Sequence, residues 1–173
     1  KKMEFGMKIG FIGLGNVGGK LSGSLLRNGV ELYVRDLNSE LVDHFVAQGA
    51  KTVQSNRELM ETCDAVITCL PSPAASAQVM EADDGLLAGM SNGKIWMEMS
   101  TTDQTEVTRL GALVPRVGVR LIAQFQVGVT AQTREISRFL RVVRGKRSKR
   151  YFLCCRKWGV VCCIRVNLVP HRY

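Results

Sequence analysis

A doubly wound α/β fold with a mostly parallel sheet is the architecture this sequence predicts, and three observations predict it. Between Lys8 and Ile122, strand-like and helix-like stretches alternate across short connections through six strands, the rhythm of successive βαβ units with right-handed crossovers. Asp64-Ala-Val-Ile-Thr-Cys69 is a mostly apolar run, which suits a strand covered on both faces of a parallel sheet. The first strand runs straight into Gly13-Leu14-Gly15-Asn16-Val17-Gly18. In that pattern the first glycine permits a tight turn, the second lets backbone approach a pyrophosphate, and the third lets the next helix pack close to the sheet. A helix start at this point adds N–H donors and a positive dipole end.

The elements follow in order. After the glycine turn, Val17, Leu21, Leu25 and Leu26 recur at helical spacing and Asn28-Gly29 closes the run, as a helix C-cap does. Glu31–Arg35 is a second strand ending at Asp36, eighteen residues after Gly18. A carboxylate there accepts hydrogen bonds from both hydroxyls of an adenosine ribose and repels a 2′-phosphate, which favours NAD. Neighbouring Arg35 offsets that repulsion in part and keeps NADP open. A second reading of Asp36, with Asn38 and Ser39, is a helix cap.

The next helix runs from Ser39 to about Gln48, with Leu41, Val42, Phe45 and Val46 on one face and His44 opposite. Lys51-Thr-Val53 is a short third strand, Arg57 to Glu61 a short helix, and Asp64–Cys69 a fourth strand. Leu70-Pro71-Ser72-Pro73 forbids continuing that strand and fixes a loop at its carboxyl end, the edge where ligands sit in open parallel sheets. Ala74 to Met80 is a helix, Asp83-Asp84-Gly85 a turn rather than a metal pair, and Lys94–Met99 a fifth strand. Ser100-Thr101-Thr102 emerges at the same edge, and Thr102 or Asp103 caps a helix that runs to about Val114 and is ended by Pro115. Gly118–Ile122 is the sixth strand.

The 173 residues, 46% hydrophobic and 23% charged, are ordinary for a domain with a well-buried core. No apolar run is long enough to span a bilayer and no leader-like segment opens the chain. The expected setting is cytoplasmic, with no membrane partner; Met3 and Met7 are both candidate natural starts. The net charge of +9 is unevenly placed: residues 1–122 hold 12 Lys+Arg against 14 Asp+Glu, whereas residues 123–173 hold 12 against Glu135 alone. Cys154, Cys155, Cys162 and Cys163 lie in that same tail as neighbouring pairs, which is not the spacing of a zinc site. No metal ligand set is expected.

Gly13-Leu-Gly-Asn-Val-Gly18, Cys69-Leu-Pro71 and Glu98-Met-Ser-Thr101 together resemble the β-hydroxyacid dehydrogenases, the group of 3-hydroxyisobutyrate dehydrogenase and relatives with a coenzyme domain of the 6-phosphogluconate dehydrogenase type. The resemblance covers about Met7 to Ile122. It implies a Rossmann-type, dinucleotide-binding domain over residues 7–122, with Leu70, Pro71 and Thr101 on the nicotinamide side. It also implies Ala75 near the cofactor and Ser100 facing cofactor or substrate. The implied chemistry is hydride transfer between NAD (or NADP) and a small 3-hydroxy acid, with a lysine as general acid/base. Lys146, Lys149 and Lys157 match no family motif, so no catalytic residue is assigned.

The family pattern breaks after Ile122. Regrouping the codons of Ala123–Val129 by one base permits Pro-Val-Ser-Gly-Gly, the missing family segment, and the match continues in that frame through Val143. Residues 123–173 are therefore expected to be an irregular, basic, Cys-rich tail read out of frame, not a native domain. The chain is then catalytically inactive, and oligomers are expected only with the helical domain of the full-length family. Arg141–Arg150 with Tyr151, Phe152 and Trp158 has the alternative reading of a nucleic-acid arm, which is disfavoured because charge runs are commonly just solvated. A non-catalytic coenzyme-binding module is the other alternative.

Overall fold

The computed structural model describes residues 7–100 and 103–114, together with the backbone of three further strands, Val119–Ile122, Tyr151–Cys155 and Cys162–Val166. Strands β1 (Lys8–Ile12), β2 (Glu31–Arg35), β3 (Ala65–Thr68), β4 (Ile95–Glu98) and β5 (Val119–Ile122) form one parallel sheet in the order β2-β1-β3-β4-β5. The order reverses between β1 and β3, which opens a crevice at the carboxyl ends of those strands. Helices α1 (Asn16–Arg27), α2 (Ser39–Ala47), α3 (Asn56–Thr62), α4 (Pro73–Glu81) and α5 (Gln104–Leu113) make the crossovers.

Alternation along the strands divides the core in two, since successive side chains leave opposite faces of a sheet. Ile9 and Phe11, Ala65 and Ile67, and Ile95 and Met97 join Leu21 and Leu25 of α1 and Phe45 of α2. Ile12, Val66 and Trp96 point the other way, into Leu59 and Met60 of α3, Met80 of α4 and Leu110 of α5. Trp96 is fully buried, and its indole N–H donates to Thr68 Oγ1 at 2.9 Å. The caps follow the sequence: Asn38, Ser55, Ser72 and Asp103 each accept a backbone N–H at the start of α2, α3, α4 and α5.

Four details depart from the sequence reading. Lys51-Thr-Val53 is an isolated bridge to Tyr33 rather than a strand. Side chains take over the edge there: Thr52 Oγ1 donates to the Val34 carbonyl and Arg35 Nη1 to the Val53 carbonyl, so the ladder stops after Lys51. Val46 is 40% exposed, because one residue past the buried Phe45 turns it about 100° round the helix. A 3₁₀ turn at Leu86–Gly89 seats Leu86 in the second core. Within the stretch expected to be irregular, β6 (Tyr151–Cys155) and β7 (Cys162–Val166) pair antiparallel; β6 carries the aromatic Tyr151 and Phe152 and β7 the β-branched Ile164 and Val166, which favour strands.

Among the described residues, one carboxyl lies inside. Glu98, at the end of β4, is 1% exposed. Burial raises its pKa above the ordinary 4.5, against the opposing pull of hydrogen bonds from Ser100 and of the nearby hydroxyls of Thr68 and Ser76. The native chain therefore keeps a proton that the unfolded chain releases. Its contribution to stability is fully present below pH 4.5 and is lost as pH rises through the raised value. Glu98→Gln should flatten that decline in urea titrations repeated across pH. Trp96→Ala should lower unfolding free energy by about 3–5 kcal/mol at any pH in the same titrations.

Candidate functional site

Four loops meet at the carboxyl edge of the sheet: the glycine turn after β1, Asp36 after β2, Leu70–Ser72 after β3 and Ser100 after β4. The glycine turn is fixed by contacts that exclude any side chain. Gly13 has φ +95°, and a Cβ there would lie 2.2 Å from the Cys69 carbonyl oxygen. A Cβ on Gly18 would lie 1.8 Å from the Gly13 carbonyl oxygen, so α1 starts pressed against the turn it leaves. Gly15 differs from both: nothing lies within 4 Å of its Cβ position. The protein does not need a glycine there for its own packing. What the missing side chain leaves is open backbone at the mouth of α1.

That mouth is also the one helix start without a side-chain cap among the five described α-helices, and its first turn carries no acidic residue. Its N–H groups and dipole thus face outward with no acidic side chain of the first turn to answer them, the arrangement that receives phosphate oxygens. Asn16 and Val17 are exposed on this rim, while Leu14 is buried and anchors the turn in the core.

Asp36 is half-buried. Its Oδ2 accepts the Leu14 N–H at 2.6 Å and its Oδ1 accepts the Asn38 N–H at 2.9 Å, so one carboxylate ties the end of β2 to the glycine turn. The helix cap belongs to Asn38, whose Oδ1 accepts from Glu40 N. Arg35 is turned toward the sheet edge: Nε donates to Asn56 Oδ1 at 3.0 Å and Nη1 to the Val53 carbonyl at 2.7 Å.

On the far side, Pro71 is exposed and Leu70 and Ala75 are half-buried. Ser72 caps α4 by accepting the Ala75 N–H, with Pro73 in the first helical turn. Ser100 is 1% exposed, and its hydroxyl is committed inside the protein: Oγ accepts the Leu70 N–H at 2.7 Å and donates to Glu98 Oε1. A hydroxyl so placed supports the Leu70 loop and does not face the crevice. Thr101 lies outside the described residues. The sequence reading missed Glu98 as a supporting group, although an acidic residue closing an otherwise apolar strand was the available signal.

The remaining candidates do not gather at this edge. His44 is exposed on α2, beside Gln48 and edge-on to Phe45. Asp83 and Asp84 lie in a turn where the Asp84 carbonyl accepts the Arg57 N–H. Burial pushes the thiols of Cys63 and Cys69 up to about 12 and about 11, so both stay protonated and poorly nucleophilic at neutral pH.

Comparison with known proteins agrees with this geometry. Residues 8–134 match the model of the NAD binding domain of 6-phosphogluconate dehydrogenase. NAD-dependent L-serine dehydrogenase of Pseudomonas aeruginosa is 35% identical over 124 residues, 72% of this chain and 42% of that protein. The cytokine-like nuclear factor N-PAC of Homo sapiens is 33% identical over 115 residues, 66% of this chain and 21% of that protein. Among solved structures, 3-hydroxyisobutyrate dehydrogenase from Salmonella typhimurium superimposes with a TM-score of 0.65 at 27% identity, over 74% of this chain and 45% of that one. The chain thus spans less than half the length of these relatives. With the glycine turn, the uncapped α1 and the 2-1-3-4-5 sheet in place, the chain belongs to the family of NAD-binding domains of the 6-phosphogluconate dehydrogenase type, the coenzyme domain of the β-hydroxyacid dehydrogenases.

Proposed function

We propose that this chain binds NAD in preference to NADP and supplies the coenzyme half of a dehydrogenase acting on a small 3-hydroxy acid. The observation that carries the reading is the open Cβ position of Gly15 at the one uncapped start among the described α-helices. Gly13, Leu14, Gly15, Asn16, Val17 and Gly18 form the cradle for the pyrophosphate, with N–H donors of α1 aimed at its oxygens. Asp36 takes the adenosine ribose hydroxyls, and a 2′-phosphate would meet its negative charge. Arg35 has two of its donors spent on Asn56 and Val53, which leaves it poorly placed to offset that charge and supports the preference for NAD. Leu70, Pro71 and Ala75 line the nicotinamide side, and the family resemblance assigns Thr101 to it as well.

When bound, a nicotinamide coenzyme accepts or donates a hydride. This chain's own contribution is to hold the ring end at one distance from the pyrophosphate cradle and to exclude water beneath it with the half-buried Leu70. The general acid/base belongs to the helical half of the full-length family, so turnover by this chain is not expected. Residues 123–173 are read as out of frame, supported by the loss of acidic residues after Ile122 and by the regrouped codons. The nucleotide sequence across codons 118 to 130 tests this: without an open continuation in the adjacent frame, that part of the proposal falls. A cytoplasmic setting is part of the reading, in keeping with the unpaired thiols of Cys63 and Cys69.

A second reading, a coenzyme-binding module without catalysis, is favoured by one relative's being named a nuclear factor rather than an enzyme. Turnover of 3-hydroxy acids with NAD, followed through the absorbance of the reduced coenzyme, would contradict the inactivity proposed for this chain.

Calorimetric titration should give NAD at least about tenfold tighter than NADP, a difference of about 1.4 kcal/mol, with Asp36→Ser narrowing the ratio. Equal binding of the two coenzymes, or binding of neither, overturns the assignment. Gly15→Ala should leave the urea midpoint nearly unchanged, since its Cβ meets no atom, while weakening NAD about tenfold or more. Gly18→Ala should instead cost several kcal/mol of stability, because its Cβ cannot avoid the Gly13 carbonyl.

A further inference from the structure

Behind the Leu70 loop lies a buried polar cluster that the coenzyme cradle does not use. Ser100 Oγ accepts the Leu70 N–H at 2.7 Å and donates to Glu98 Oε1, and the same oxygen accepts the Ser100 N–H at 2.8 Å. Two buried atoms beside this chain of bonds have no partner: Glu98 Oε2 and Ser76 Oγ, the latter on the second turn of α4 and close enough to the carboxyl to influence its ionisation. A single proton on Oε2, donated to Ser76 Oγ, satisfies both orphans at once. It would tie β4 to α4 across the loop that joins β3 to α4. Among the groups about the carboxyl, Thr68, Ser76 and Ser100 are neutral hydroxyls, and the Cys69 thiol is protonated. Among the described residues, no cation is placed there to hold a carboxylate.

Resting on the coenzyme reading above, we propose that Glu98 is a positioning residue that fixes the Leu70–Pro71 loop, and with it the nicotinamide end of the crevice, through the Ser100 hydroxyl and Ser76. The backbone N–H of Leu70 is the element held. Leu70 itself is half-buried between this cluster and the crevice, so a loop released from Ser100 can shift relative to the Gly13 turn, whose nearest fixed neighbour is the Cys69 carbonyl. The pyrophosphate cradle has its own anchors in Leu14 and Asp36, and it stays in place when the loop moves. Glu98 therefore acts on one end of the coenzyme only.

The test compares the full chain with Ser100→Ala, Glu98→Ala and Glu98→Gln by two measurements. The first is the affinity for NADH and for ADP-ribose, which lacks the nicotinamide ring. The second is amide hydrogen exchange at Leu70 without any ligand. Ser100→Ala and Glu98→Ala should weaken NADH by about tenfold, leave ADP-ribose within about twofold, and speed Leu70 exchange. Glu98→Gln, which keeps an acceptor for Ser100 and a donor for Ser76, should restore both readouts. Equal loss of NADH and ADP-ribose would mean a general structural role and overturn the proposal, as would Leu70 exchange unchanged in Ser100→Ala. If the unaltered chain binds neither ligand, the coenzyme reading fails, while the exchange data still decide whether the Glu98 cluster holds the loop.

Discussion

The structure depends on one close approach, that of the Gly13–Gly18 turn to itself and to the end of β3. The Gly13 backbone occupies space that a side chain on Gly18 would need, and the Cys69 carbonyl occupies the space beside Gly13. Three consequences follow from that single contact. Helix α1 begins immediately after β1, its N-terminal N–H groups emerge at the sheet's carboxyl edge, and β1 and β3 come together at the switch point. Because backbone rather than side chain fills the crossing, the geometry has little slack. The Gly13 N–H also donates to the Arg35 carbonyl at 3.1 Å, which carries the same constraint across to β2.

Around that crossing, the crevice is built from two kinds of support. At the end of β2, a single carboxylate, Asp36, holds the Leu14 and Asn38 N–H groups and remains half-exposed at the crevice edge. On the opposite side, the carboxyl of Glu98 is buried and reaches the loop only through Ser100. Two acidic residues at two strand ends thus do opposite work. Asp36 is half-exposed at the crevice edge; Glu98 is desolvated, driven toward its neutral form, and faces inward.

Most of the architecture was legible because it rests on local chemistry. Strands β1 and β2 and the N-caps of α2 through α5 follow from residues that are adjacent in sequence. Lys51-Thr-Val53 misled because the sequence shows strand propensity but not that Thr52 and Arg35 side chains would take over the edge hydrogen bonds. Ser100 misled for a similar reason. A hydroxyl at a ligand-bearing edge reads as a contact residue until its partners, 2 and 30 residues away in sequence, are brought beside it.

By itself, the sequence determined the βαβ order, the glycine turn and the carboxylate eighteen residues beyond it, since strand alternation, helix periodicity and turn chemistry act over a few residues. Only the tertiary structure decided which glycines are compelled by packing and which one leaves room for a ligand. It also decided that Arg35 is tied to the sheet edge and that Glu98 stands behind the Leu70 loop. Those distinctions depend on what lies within a few ångströms of a side chain, and chain order does not record distance between segments that meet only after folding.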